Sequence, residues 1–206
     1  MVCLLVGLLP SVVLAAEYTI GPAPDWVIAT KPGKPSEGQL SKDSDGVSYL
    51  LVDSQMRQGT ETTRFRRVVS RALNQNGLES AANIEIEFDP SYQTLTLHSV
   101  DIVRAGRVIH KLPTAKVRVI QRENELEARI FDGMKSANMF LDDVRVGDVV
   151  DYSYSVSGRN PVFAGGTFGR VSLQFSVPAA RIHVRLLVPE DKPVTVSTLY
   201  AGKKPS

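Results

Sequence analysis

The 206-residue sequence holds one cysteine, one tryptophan and three histidines. Cys3 lies inside an apolar N-terminal stretch that reads as a removable leader, so the mature chain would carry no thiol. That excludes disulfides and a cysteine nucleophile within it. His98, His110 and His183 stand in no His-x-Glu or His-x-x-x-His spacing, and no cysteine completes a zinc set. No metal site, catalytic residue or cofactor is therefore read from this sequence. The histidines read as surface or edge residues, with His183 on the wet face of a strand. An excess of one charge is missing too. Lysine and arginine total 24 against 22 acidic residues, too balanced for the concentrated basic surface of a nucleic-acid binder.

What is present begins with MVCLLVGLLPSVVLAA, uncharged until Glu17. Leu4 to Leu14 has the length of a signal-peptide core and is too short to span a bilayer comfortably. Val13-Leu14-Ala15 supplies small residues for cleavage near Ala15 or Ala16, so residues 1–16 are read as a signal peptide. No Lys or Arg precedes the run, which points to a start further upstream or a clipped one. An uncleaved anchor or a buried strand is the alternative. The expected location is the periplasm or cell surface, with no membrane span after cleavage.

Residues 17–48 are rich in Pro, Gly, Ser and Asp and read as an extended arm anchored by Trp26 and Val27. Residues 49–206 read as one β domain. The apolar fraction of 43% supports a packed core. Ile84, Ile86 and Phe88 alternate with Glu85 and Glu87, and Leu95 and Leu97 alternate with Thr94 and Thr96. The two runs are expected to form a hairpin. The phase slips before Val100 and Ile102, predicting a bulge near His98 and Ser99. Further strands are expected over Tyr49–Gln58, Thr62–Leu73, Arg107–His110, Met134–Leu141, Val150–Val156, Val171–Val177, Ile182–Val188 and Val194–Tyr200. Leu78–Ala82 reads as one helical turn, and Gln121–Arg129 as the most helix-friendly segment. The fold class is all-β: an antiparallel sandwich of many short strands, with an extended arm and at most one or two short helices.

Four segments bear on chemistry. Asp142, Asp143, Asp148 and Asp151 crowd together, and two of them facing one cleft would suit a carboxylate-based glycan hydrolase. Their spacing fails for a calcium loop, as does that of Asp43-Ser44-Asp45-Gly46, and a charged turn is the plainer reading. Thr63–Arg71 is the densest basic patch. Its alternation sets Arg64 and Arg66 on one strand face and Phe65 and Arg67 on the other, read as a solvated face or a surface steering an anion. The loop Gly158–Phe163 brings Arg159, Asn160 and Phe163 to one tip. It is read either as a recognition tip or as a turn with Phe163 in the core. A stand-alone carbohydrate-binding module would need exposed coplanar aromatics, and most tyrosines fall at core phases.

Gly77-Leu78-Glu79, Phe88–Gln93, Leu97-His98, Arg104-Ala105-Gly106, Arg122–Gly133 and Val146–Tyr154, in that order, resemble the DUF3857 family of bacterial exported proteins. The resemblance runs from about Tyr49 to the end. It implies a β-sandwich module ahead of a transglutaminase-like Cys-His-Asp domain, which this sequence does not contain. It carries over no catalytic or binding residue. The expected function is a non-catalytic accessory domain, positioning a downstream transglutaminase-like domain or binding its protein or glycan substrate.

Overall fold

The structure, a computed structural model, describes residues 17–36, 46–121, 133–162 and 169–197. Alternating apolar residues build two sheets. The larger contains β1 (Thr19–Ile20), β2 (Val47–Gln58), β3 (Thr62–Ala72), β5 (Gln93–Arg104), β6 (Arg107–His110), β9 (Val149–Gly158) and β10 (Ile182–Leu187). Its order is β1-β5-β9-β3-β2-β10, with β6 also pairing with β5. The smaller sheet runs β4 (Asn83–Phe88), β8 (Lys135–Phe140), β7 (Val117–Gln121). Helix α1 (Asn76–Ala82) feeds directly into β4 and is the one α-helix among the described residues. The fold is mostly β, as the sequence predicts. It is not strictly antiparallel, because β1 runs parallel to β5 and β10 parallel to β2.

The two sheets pack face to face. Ile84, Ile86 and Phe88 of β4 and Ala137 and Met139 of β8 lie in one core cluster with Leu95, Leu97, Val100, Ile102 and Val150 of the large sheet. Ile86, Leu95 and Ile102 are essentially inaccessible to water. Truncating such a residue to alanine costs about 2–5 kcal/mol, because the lost burial is joined by an unfilled cavity.

The expected hairpin of β4 and β5 does not form. β4 pairs with β8 and β5 pairs with β9, so the two runs sit in opposite layers with their greasy faces in one core. Alternation specifies which face is buried, and pairing and facing satisfy it equally well. The predicted bulge is present, as a register shift between Leu97 and Ser99 that lets Leu95, Leu97, Val100 and Ile102 share one face. The Ala105-Gly106 turn is also present, both residues having positive φ.

Two expected strands are absent from the described residues. Val171–Val177 runs irregularly, with Val171 and Leu173 exposed and Phe175 edge-on to Tyr49. Residues 194–197 are likewise irregular, and the remainder of that segment lies outside the described residues, as does 122–132. β7 and β1 form without having been expected.

Candidate functional site

Strand registers place the polar side chains of the large sheet in rows on the face away from the core. Arg185, Gln55, Phe65 and Ser155 are cross-strand neighbours on β10, β2, β3 and β9. The adjacent row is His183, Asp53, Arg67, Ser153 and Ser99. Alternation alone would give these residues to solvent. Instead Asp53 and Gln55 are 1% exposed, and Ser153 and Ser155 are buried.

The N-terminal arm makes the difference by crossing this face. At the β5 edge, Gly21 N–H donates to the Leu97 carbonyl at 3.1 Å. The Gly21 carbonyl accepts from His98 Nδ1 at 2.9 Å. Further along, Gln55 donates Nε2–H to the Ile28 carbonyl at 2.7 Å and accepts Ile28 N–H on Oε1 at 3.1 Å. Arg185 donates to the Trp26 carbonyl at 2.6 Å, Arg67 to the Thr30 carbonyl at 3.1 Å, and Arg181 to the Lys31 carbonyl at 2.8 Å. Gly33 N–H ends the crossing on the Leu50 carbonyl at 2.8 Å.

Charges beneath the arm are paired. Arg67 grips Asp151 through Nε at 2.8 Å and Nη2 at 2.6 Å, a bidentate geometry that adds orientation to attraction. The hydrogen bonds it donates to Asp151 hold the Arg67 guanidinium above its ordinary pKa. The Asp53 carboxylate accepts Gln55 Nε2–H at 3.0 Å on one oxygen and contacts His183 Nδ1 at 2.8 Å with the other. His183 thus faces the arm rather than solvent. The strand keeps the facing its alternation gives, but the arm covers the His183 side while Val184 and Leu186, on the other side of this edge strand, stay exposed.

Thr30 Oγ1, His183 and Asp53 superficially suggest a nucleophile–base–acid relay. Such a relay sets the hydroxyl on one ring nitrogen and the carboxylate on the other. Here Thr30 Oγ1, at 3.1 Å, and Asp53 Oδ1 both approach Nδ1. The arrangement holds the arm and cannot pass a proton along it. His98 is likewise committed. The Gly21 carbonyl can only accept, so Nδ1 carries the proton and Nε2 accepts from Ser155 Oγ at 2.8 Å. The ring stacks on Phe65. Burial pushes its pKa below the ordinary histidine value.

The crowded carboxylates are each tied to a cation, with Asp143 and Asp148 sharing Arg104. Asp142 pairs with Lys111 at 2.9 Å. Asp148, 3% exposed, takes Arg104 on both oxygens, and Arg104 also holds Asp143 at 3.0 Å. Asp151 sits under the arm on Arg67. Hydrogen bonds from Lys111 and Arg104 hold Asp142, Asp143 and Asp148 below the usual carboxylate range. A glycosidase acid needs the opposite shift. Among the described residues no group of three or more His, Cys, Asp or Glu could hold a metal ion.

At the opposite end of β9, Arg159 Nη2 donates to the Gly59 carbonyl at 2.8 Å. Asn160 donates to Tyr92 Oη at 3.3 Å and accepts Val162 N–H at 3.0 Å. These bonds tie neighbouring turns together. Phe163 lies outside the described residues. Tyr152 and Tyr154 stack in near-parallel planes but pack against the core, and burial raises both phenols.

The sequence did place Arg67 opposite Arg64 and Arg66, but Gln55, Asp53, His183 and Arg185 went unrecognised as a group. No residue pattern announced them, because Ser, Gln, Asp and Arg are types ordinarily left to solvent.

Residues 59–206 match DUF3857, a family described as a domain of unknown function with solved structure. The chain belongs to this family. The DUF3857 chain resembles the crystal structure of "a putative protease" from Parabacteroides distasonis, with TM-score 0.60 and 17% identity, which shows a common fold. The match covers 72% of this chain and 30% of that one, so the chain spans less than a third of its neighbour's length. Leukotriene A4 hydrolase from Saccharomyces cerevisiae matches with TM-score 0.30 and 13% identity, over 64% of this chain and 19% of that one. No curated protein matches the sequence.

Proposed function

We propose that this DUF3857 chain is a non-catalytic module of an exported, transglutaminase-like protein, acting at the periplasm or cell surface by binding that enzyme's protein substrate or positioning its catalytic domain. One observation carries the reading. The polar face of the large sheet, where a β domain would present chemistry, holds an extended chain segment through its backbone. Its histidines and carboxylates are tied into that task. The family membership supports the module, and the apolar leader supports export.

The test is an activity assay on the purified protein from Glu17 to Ser206 with peptide and glycan substrates. Neither hydrolysis nor cross-linking is expected. Turnover abolished by Asp148→Asn or His183→Gln would overturn the proposal. Reading the DNA beyond the Ser206 codon provides a second test. A frame continuing into Cys, His and Asp in transglutaminase order supports the accessory role, and an immediate stop codon removes the downstream domain from it.

A further inference from the structure

The contacts beneath the arm have a regularity that a merely structural cover does not require. The carbonyls of Trp26, Ile28 and Thr30 accept, in turn, from Arg185, Gln55 and Arg67. Trp26 lies in a turn that Val27 N–H closes on the Pro24 carbonyl at 3.1 Å, and from there the chain passes Ile28 and Thr30 without regular structure of its own. The donors stand on three adjacent strands, β10, β2 and β3, spaced by the sheet itself. Gln55 goes further, offering its amide as a peptide group would and pairing with both Ile28 N–H and Ile28 C=O.

At Ile28, in the middle of the arm, the grip is on the backbone. Ile28 is 48% exposed although its backbone is bonded twice. Trp26 contributes its carbonyl to Arg185. Thr30 Oγ1 on His183 is the side-chain contact at the centre of the crossing. The surface therefore recognises an extended main chain largely without regard to its sequence. Arg67 is paired with Asp151 and His183 contacts Asp53, while Arg185 and Arg181 meet carbonyls of the arm. The resident segment, Thr19 to Gly33, has one Asp and one Lys.

We propose that this face is a receptor for an extended segment of another polypeptide, of low net charge and gripped through its backbone, and that residues 19–33 are its resident occupant. The inference rests on the binding-module reading above and specifies its ligand as unfolded or strand-like polypeptide rather than glycan. The arm, attached to the same chain, holds the site at an effective concentration on the order of millimolar. An incoming segment must compete with it. The seated arm is the argument for the occupant, because any chain offering the same alternate carbonyls meets the same donors.

The experiment uses the full chain and a fluorescent peptide of sequence Thr19–Gly33, followed by anisotropy. In the wild type, micromolar peptide is expected to bind weakly. Ile28→Pro removes the N–H that Gln55 accepts and loosens the arm. Peptide affinity is then expected to rise at least tenfold, and to fall back at least tenfold when Gln55→Ala is added. A peptide in which the other side chains are permuted while every Pro and Gly keeps its place should bind within about threefold of the native one, since its backbone donors and acceptors are unchanged. Absence of peptide binding to a folded Ile28→Pro chain, or binding indifferent to Gln55, overturns the proposal. So does self-association of that variant at micromolar concentration in place of peptide binding, which would make a second copy's arm the occupant. Should Ile28→Pro fail to fold, hydrogen exchange at Ile28 and Gly33 of the wild type decides: millimolar peptide must accelerate it, and no change counts against the proposal. These results are independent of turnover, so the receptor can fail while the non-catalytic reading stands.

Discussion

Gln55 holds Ile28 by both of its backbone groups, accepting its N–H at 3.1 Å and donating to its carbonyl at 2.7 Å. The same amide donates to Asp53 at 3.0 Å. One buried side chain thus joins the arm, the sheet and a buried carboxylate. Gln55→Ala is expected to lower unfolding free energy by about 1–3 kcal/mol, because it leaves polar groups on Asp53 and Ile28 with fewer partners. Urea denaturation measures the loss. Limited proteolysis should cut the arm of the variant before the core.

Arg67 and Asp151 make the principal charge pair under the arm, their side chains 26% and 18% exposed. That places them between surface pairs, worth about 0–1 kcal/mol, and buried ones, whose disruption costs about 3–5 kcal/mol. Arg67→Ala is expected to cost about 1–3 kcal/mol on this scale. The double variant with Asp151→Ala should cost less than the sum of the singles, since removing both charges leaves neither unpaired. A double-mutant cycle by urea denaturation gives the coupling.

His98 makes the protein sensitive to mild acid. Burial lowers its folded-state pKa below the ordinary 6.5. The unfolded chain therefore takes up the proton first as pH falls through that value. Stability present at neutral pH should decline below about 6.5, the value at which an unfolded-state histidine begins to charge. His98→Gln should flatten that part of the stability profile, followed by urea denaturation at a series of pH values.

Asp148 governs a separate, more acidic range. The Arg104 hydrogen bonds depress its pKa in the folded state. Its contribution is present above the ordinary carboxylate value and is lost as pH falls below about 4. Asp148→Asn should lower stability at pH 7 and weaken the pH dependence between about 5 and 2. Thermal unfolding across that range checks it.

Two glycines, both at positive φ, differ in the space around them. Gly106 sits at φ +78° with open space where a Cβ would stand, so Gly106→Ala should cost about 1–2 kcal/mol through backbone strain alone. At Gly158 a Cβ would fall 1.9 Å from the Tyr92 carbonyl oxygen. Gly158→Ala should therefore cost more than about 3 kcal/mol, or force β9 and the Tyr92 turn apart. Melting temperatures of the two variants should order accordingly.

Much of the framework was legible from local pattern. The bulge near His98 followed from Leu95 and Leu97 changing phase to Val100 and Ile102, because a half-buried strand must keep its apolar residues on one side. The Ala105-Gly106 turn and the strand over Tyr152 and Tyr154 were equally local. The Arg159–Phe163 tip was legible only as a loop. The bonds of Arg159 to Gly59 and Asn160 to Tyr92 join turns distant in sequence, and no residue pattern announces them.

By itself the sequence determined a β-rich chain with defined strand faces, no thiol other than Cys3 and no metal-ligand spacing. Period-two alternation and composition are properties of neighbouring residues, so they survive without a fold. Tertiary structure alone decided that β4 faces β5 instead of pairing with it, that the arm covers the His183 side of β10, and that it lies over Asp53 and Gln55. The physical reason is common to all three. Alternation states that one side of a strand avoids water, but the partner that excludes water is set by long-range packing, and a polar face can be covered as completely as an apolar one when a backbone supplies the hydrogen bonds.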